Sequence, residues 1–221
     1  KNAGSIWKNA AVMLEEAGVP YKARFTGGSL NATALSYKSA AEGYRNFIAV
    51  GGDGTIHDVL NGIGEYVSSA QGVSFSDFTL AVIPVGSGND WVKSVGIPRD
   101  IQVAVKLIAS GERRKQDVVK VSVLDASDRD ADPVTVSYMA NIAGVGLDAR
   151  VCERVNNLKK MGKRGRILYV TSLLYALNHR KPKKARVVCD GEVLFDGPYF
   201  SMAFGVGRYS GGGMRQTPEA V

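Results

Sequence analysis

Two cysteines, Cys152 and Cys189, are all the thiol this 221-residue chain contains. That is too few for a disulfide framework or a thiolate metal site, and it fits a reducing compartment. Long apolar runs are missing as well: none reaches the ~20 residues needed to span a bilayer, and no secretory leader pattern stands at the N-terminus. Internal repeats and low-complexity segments are absent. Acid is in short supply, with 21 acidic residues against 28 basic ones and a net charge of +7. The excess favours anionic partners such as nucleotide phosphates, acidic lipid surfaces or nucleic acid, without choosing among them. The basic residues lack paired aromatic platforms, so specific nucleic-acid binding is set aside. What remains is ordinary globular material, 45% hydrophobic and 22% charged.

The stretch FIAVGGDGTIHDVL, from Phe47 to Leu60, organises the rest. Phe47 to Val50 form a short apolar run without alternation, as in a strand covered on both faces of an α/β sheet. Gly51, Gly52 and Gly54 then surround Asp53, and Thr55 offers a hydroxyl where a helix begins. Glycines there let backbone N–H groups approach a ligand closely. Ile56, Val59, Leu60, Ile63 and Val67 recur at helical spacing, giving a face that packs back on the sheet. Strand, glycine turn and helix N-terminus together make an anion site by geometry and dipole. A purely structural turn is the alternative. The acid tilts the reading toward phosphoryl transfer, since Asp53 would repel bare phosphate but is useful where Mg²⁺ or a substrate hydroxyl lies between them.

Further elements follow in order. Ser5–Ala17 has one apolar face and closes at Gly18; a strand should precede it in this architecture and is absent from the sequence. Tyr21 to Thr26 reads as a short strand, Leu30 to Glu42 as a helix, and Thr79 to Ile83 as the next apolar strand, stopped by Pro84. PVGSGNDW then repeats the glycine-turn logic through Gly86, Ser87, Gly88, Asn89 and Asp90. Two such turns after two parallel strands would lie side by side at the carboxyl edge of one sheet, where α/β folds bind ligands. Ile101 to Ala109 is another helix. From Val118 the period becomes two, with strands at 119–123, 134–138, 186–190 and 199–204, a hairpin turn at Asp190 and Gly191, and a helical insertion over 148–178. The partition is an α/β domain over 1–114 and a β-rich domain over 115–221.

Five stretches, GGDGTIHDVLNG, PVGSGND, GERRKQDVVKV, YMANIAGVGLDARV and GRYSGGGMRQTPEA, occur in an order that resembles the diacylglycerol kinase catalytic-domain family, in particular the soluble bacterial lipid kinases. The resemblance implies an α/β nucleotide-binding domain followed by a β-sandwich, and ATP- and Mg²⁺-dependent transfer of the γ-phosphoryl group to a lipid hydroxyl. It implies that Gly51, Gly52, Asp53, Gly54 and Thr55 hold the nucleotide phosphates, with Thr26, His57, Asp58, Ser87 and Asn89 also on the nucleotide. Asp53 would orient Mg²⁺ or the acceptor hydroxyl. Asp90 and Asp117 match acids lining the cleft; for Asp90 a helix N-cap is the competing reading. His57 and Asp58 stand where relatives carry Asn and Glu, which shortens the acid and places His57 on the solvent side of its helix. Val221 aligns with a backbone carbonyl ligand of a structural Mg²⁺, and the general base is expected beyond it.

The expected partners are a lipid substrate and an anionic membrane surface at the inner face of the membrane, met from the cytoplasmic side, with a homodimer left open. Lys159, Lys160, Lys163, Arg164 and Arg166 form one basic run and Arg180, Lys181, Lys183, Lys184 and Arg186 another, and each such residue near an anionic leaflet contributes roughly 1 kcal/mol. Solvated loops are the plainer reading of both. Two rivals stand beside the lipid kinase: a soluble-metabolite kinase resembling NAD kinase, and a non-catalytic nucleotide- or lipid-binding module.

Overall fold

The computed structural model describes residues 3–27, 31–86, 88–125, 127, 131–163, 167–178 and 183–220. Strand β1, Asn46–Gly51, pairs in parallel with β2, Thr79–Pro84, in a register that sets Asn46 beside Thr79 and Gly51 beside Pro84. Both strands therefore end at the same edge. Their apolar side chains are covered from two sides. On one side α1, Ala3–Glu16, and α5, Ile101–Ser110, bury Ala10, Leu14 and Val105 with Ile83. On the other, α3, Asp53–Ser69, and the short α4, Asp90–Ser94, bury Ile56, Trp91 and Val92 with Ala49 and Val82.

Local chemistry sets the helix ends. Gly18 lies at φ +67° after α1, and the Val19 N–H returns to the Leu14 carbonyl at 2.9 Å. Asn31 caps α2, Ala32–Ala41, by accepting the Ala34 N–H at 2.8 Å, and Asp100 caps α5 by accepting that of Val103 at 3.1 Å. Helices α2 and α3 meet closely at Gly62, where a Cβ would lie 2.1 Å from the Ser36 hydroxyl. Ser36 and Ser39 are buried, and both turn their hydroxyls back onto carbonyls of their own helix.

The expected strand at Tyr21 to Thr26 is corrected: these residues join no ladder, and a single bridge falls at Gly27. Their side chains are engaged elsewhere. Tyr21 meets Trp7 edge-on at 5.5 Å and gives its hydroxyl proton to Glu15.

Strand β3, Val119–Val123, pairs antiparallel with β4, Thr135–Met139. Tyr138 of β4 lies against α3 at Gly64, where a Cβ would stand 2.1 Å from its ring. Farther on come β5, Ile142–Gly146, paired with β8, Ser201–Gly205, and β6, Lys183–Cys189, paired with β7, Glu192–Tyr199. The turn between β6 and β7 has Asp190 at φ +51° and Gly191 at +86°, the paired positive values of a type I′ hairpin. Helices α6, Leu147–Lys160, and α7, Ile167–Asn178, form the helical insertion and close over Val151, Val155 and Ala176. Two short strands, β9, Tyr209–Ser210, and β10, Met214–Arg215, form a last hairpin.

Contacts divide the chain into one unit of residues 1–141 with 206–221 and a second of 142–205, rather than at 114/115. The β3–β4 pair joins the first unit because Tyr138 is seated on α3, and the last hairpin joins it through hydrogen bonds to α4.

Candidate functional site

The two glycine turns sit together at the carboxyl edge of β1 and β2. The Val85 N–H donates to the Gly51 carbonyl at 2.9 Å and ties one turn to the other. A Cβ on Gly52 would stand 2.9 Å from the Gly86 Cα, and one on Gly86 would stand 2.6 Å from the Gly52 Cα. Neither position can carry a side chain without moving backbone. Gly51 is closed by the Thr55 side chain, whose hydroxyl would lie 2.2 Å from a Cβ there, while Gly54 is exposed and faces open space.

Asp53 opens α3 and reaches across to α4, where its Oδ1 accepts the Trp91 N–H at 3.0 Å. Its Oδ2 lies 3.0 Å from the place a Gly88 Cβ would occupy, so the carboxylate spans both turns. Asn89 holds a left-handed conformation at φ +53°, and its Nδ2 donates to the Gly86 carbonyl at 2.8 Å. That costs about 1 kcal/mol for a residue with a Cβ, and the hydrogen bond offsets it.

Asp90 is 6% exposed, and its Oδ2 accepts the Gly212 N–H at 2.7 Å. The N-cap position of α4 belongs to Asn89, and the Asp90 carboxylate holds the glycine hairpin instead. Asn89 Oδ1 and Asp90 Oδ1 are both buried and without a hydrogen-bond partner among the described residues.

The hairpin after β9 is fixed by residues the sequence did not single out. Ser94 Oγ accepts the N–H groups of Arg208 at 3.1 Å and Tyr209 at 3.3 Å while donating to the Asp90 carbonyl at 3.0 Å. Asn141 donates to the Tyr209 carbonyl at 2.9 Å. Gln116 accepts from the Trp91 indole at 3.0 Å and donates to the Ala140 carbonyl at 2.7 Å. Each is a polar residue whose partner lies far along the chain, so no local pattern marks it. The SGGGM run was the available signal for this hairpin, and it does not announce α4 as its seat.

Of the residues named from sequence, Gly51, Gly52, Asp53, Gly54, Thr55, Asn89 and Asp90 therefore fall on one edge. His57 is exposed on α3, with its carbonyl accepting from Asn61 at 2.8 Å, and Asp58 is half-buried beside it. Thr26 is exposed, and no described hydrogen bond joins it to the turns. Asp117 is exposed and pairs with no described residue. Ser87 and Val221 lie outside the described residues. Among the described residues no group of three or more His, Cys, Asp or Glu gathers as a metal cluster.

Comparison with known proteins places the chain in a family. Residues 1–121 match the family model for the diacylglycerol kinase catalytic domain. The chain belongs to that family. Residues 141–221 match a second model, the YegS C-terminal NAD kinase beta sandwich-like domain. Among relatives, a protein of Stenotrophomonas maltophilia named "Probable lipid kinase YegS-like" is 28% identical over all of this chain and 64% of its own length. A Staphylococcus aureus protein named diacylglycerol kinase is 29% identical over 96% of this chain and 60% of its own. A Bacillus anthracis crystal structure titled as a diacylglycerol kinase shares the fold, with TM-score 0.57 at 22% identity over 92% of this chain and 59% of that one. The chain thus spans about three-fifths of the length of these relatives. In this diacylglycerol kinase family member, the α/β first region and the strand-rich second region expected from sequence are both present.

Proposed function

We propose that the chain is the catalytic region of a lipid kinase that transfers the γ-phosphoryl group of ATP to the hydroxyl of diacylglycerol or a related lipid. The observation that carries this reading is the contact of the two glycine turns, with Asp53 bridging them. A cradle that a single Cβ would fill suits backbone N–H groups approaching phosphate oxygens. The donor set fits ATP with Mg²⁺. Asp53 and Asp90 are hard oxygen donors, and two buried oxygens, on Asn89 and Asp90, still lack partners. Two carboxylates, with no third gathered beside them among the described residues, suit an ion that also takes phosphate and water oxygens.

Gly51, Gly52, Gly54 and Thr55 would hold the phosphates, and Asp53 would orient the metal or the acceptor hydroxyl. Mg²⁺, when bound, would neutralise charge on the β- and γ-phosphates. Catalysis here is positioning and electrostatics, so removal of the Asp53 carboxylate should cost orders of magnitude in rate. The acceptor stays in a bilayer, and exposed Lys163, Lys183 and Lys184 are part of the basic runs proposed to meet an anionic surface.

The test, made on the full-length protein, is ATP-dependent transfer of labelled phosphate into organic-extractable product, over diacylglycerol, sphingoid base, ceramide and phosphatidylglycerol. Transfer to one lipid that vanishes in Asp53→Ala establishes the reaction and its acceptor. Retained nucleotide binding with no transfer to any of them overturns the reading in favour of a soluble acceptor or a binding module.

A further inference from the structure

Lys93 is on α4, the helix that follows the second glycine turn, and has no role in the arrangement so far. It follows Asp90 by three positions on α4, so the two residues share a helix face, and that face meets the glycine hairpin. The Lys93 ammonium stands 4.1 Å from the centroid of the Tyr209 ring. It is also 3.0 Å from where a Gly213 Cβ would be, and Gly213 has φ +116°, a conformation that only glycine adopts readily. The backbone therefore keeps that space clear for the cation.

The platform is rigid, because Tyr209 is held through its N–H by Ser94 and through its carbonyl by Asn141. Ion pairs among the described residues do not include Lys93. A cation over a ring face keeps N–H donors available for an anion. Asp90 faces the same hairpin, but one of its carboxylate oxygens is already bonded to Gly212. Of the other cations nearby, Arg99 donates to the Gly88 carbonyl and Arg208 to that of Ala220. A polyphosphate entering beside Asp53 and Asp90 meets two like charges, and a fixed cation would offset that repulsion.

We infer that Lys93 is a phosphate-binding residue, its ammonium held over Tyr209 to take the terminal phosphates of a nucleoside triphosphate lying on the glycine turns. This rests on the nucleotide reading above. Tyr209 is a positioning residue in it.

The experiment is calorimetric binding to the purified full chain of a non-hydrolysable ATP analogue, ADP, AMP and inorganic tripolyphosphate, for wild type, Lys93→Gln, Lys93→Arg and Tyr209→Leu. Thermal melts show whether each variant is folded. Loss of one charge-assisted hydrogen bond predicts about tenfold weaker binding of the triphosphate by Lys93→Gln. AMP binding should hardly change, Lys93→Arg should recover most of the loss, and Tyr209→Leu should fall between. Equal triphosphate binding by wild type and Lys93→Gln overturns the inference, as does an equal loss for AMP. Wild type that binds tripolyphosphate but no adenine nucleotide overturns the nucleotide reading, while the Lys93→Gln effect on tripolyphosphate still decides the lysine. Wild type that binds neither overturns both.

Discussion

The side-chain amide of Asn61 pairs with both backbone groups of Tyr138, its Oδ1 accepting the N–H at 2.8 Å and its Nδ2 donating to the carbonyl at 2.9 Å. A side chain on α3 thereby does for β4 what a neighbouring strand would do, and the helix that begins with Asp53 is fastened to a strand that is distant in sequence. Tyr138 is 6% exposed, so water is a poor substitute for either bond. Asn61→Ala is expected to lower stability by about 1–3 kcal/mol, read from urea unfolding. Asn61→Asp should be no better near neutral pH, because a carboxylate cannot donate to the Tyr138 carbonyl. Wild-type midpoints for both variants would deny the pairing any energetic role.

Gly86→Ala puts a methyl group 2.6 Å from both the Gly52 Cα and the Asn89 Oδ1. The turns must separate, and overpacking of this kind costs about 1–3 kcal/mol. Nucleotide affinity should fall further than stability does, since the cradle itself opens. Gly72→Ala makes the comparison, because Gly72 has open space around it and its only penalty is its φ of +70°. Thermal melts alongside calorimetric titration with an ATP analogue separate the two effects.

Asp90→Ala leaves the Gly212 N–H without its acceptor and removes one of the ties between the hairpin and α4. Hydrogen exchange in residues 209–214 should quicken, and a bond to a charged group of this kind accounts for about 1.5–3 kcal/mol of local protection. Asp90→Asn keeps an oxygen acceptor and should preserve most of that protection while losing the charge. If exchange is unaltered in Asp90→Ala, the hairpin is held by Ser94 and Asn141 alone.

Arg24 donates to the Glu42 carboxylate, and that hydrogen bond holds the Glu42 pKa below the ordinary glutamate value. A carboxyl group depressed in the folded state adds stability above its unfolded pKa, and loses it as pH falls through the folded one. The Arg24–Glu42 contribution is thus complete at neutral pH and disappears on the acid side of the glutamate range. In Arg24→Ala the Glu42 titration, followed by carbon-detected NMR, should move up toward the ordinary value. Its stability difference from wild type should shrink at acid pH.

What could be read from sequence was local. The apolar runs before the two glycine turns are short and unbroken, and they became β1 and β2, because buried parallel strands show no alternation. The Asp190–Gly191 pair fixed its own hairpin, since that turn needs two positive φ values. Tyr21 to Thr26 misled because its alternation imitates a half-buried strand, yet among the described residues it has no neighbour to pair with beyond the bridge at Gly27. For Asp90 the acid was visible but its partner was not, as Gly212 lies far down the chain. Ser94, Asn141 and Gln116 are ordinary polar residues until such distant partners arrive. Thr26 and Asp117 rested on resemblance alone, and both are exposed away from any described bond to the turns.

The first unit is discontinuous: its closing segment, residues 206–221, is reached only after the whole of 142–205. A chain emerging from the ribosome therefore completes this unit only after 142–205 has been made. Until Arg208 and Tyr209 arrive, the Ser94 hydroxyl and the Asp90 carboxylate on α4 wait without the backbone groups they bind. Bringing them together closes separations of 114 to 122 residues, and contacts of such separation form slowly. During synthesis the α/β region is thus an open half until residues 206–221 arrive, and compaction of 142–205 shortens the distance they must cross.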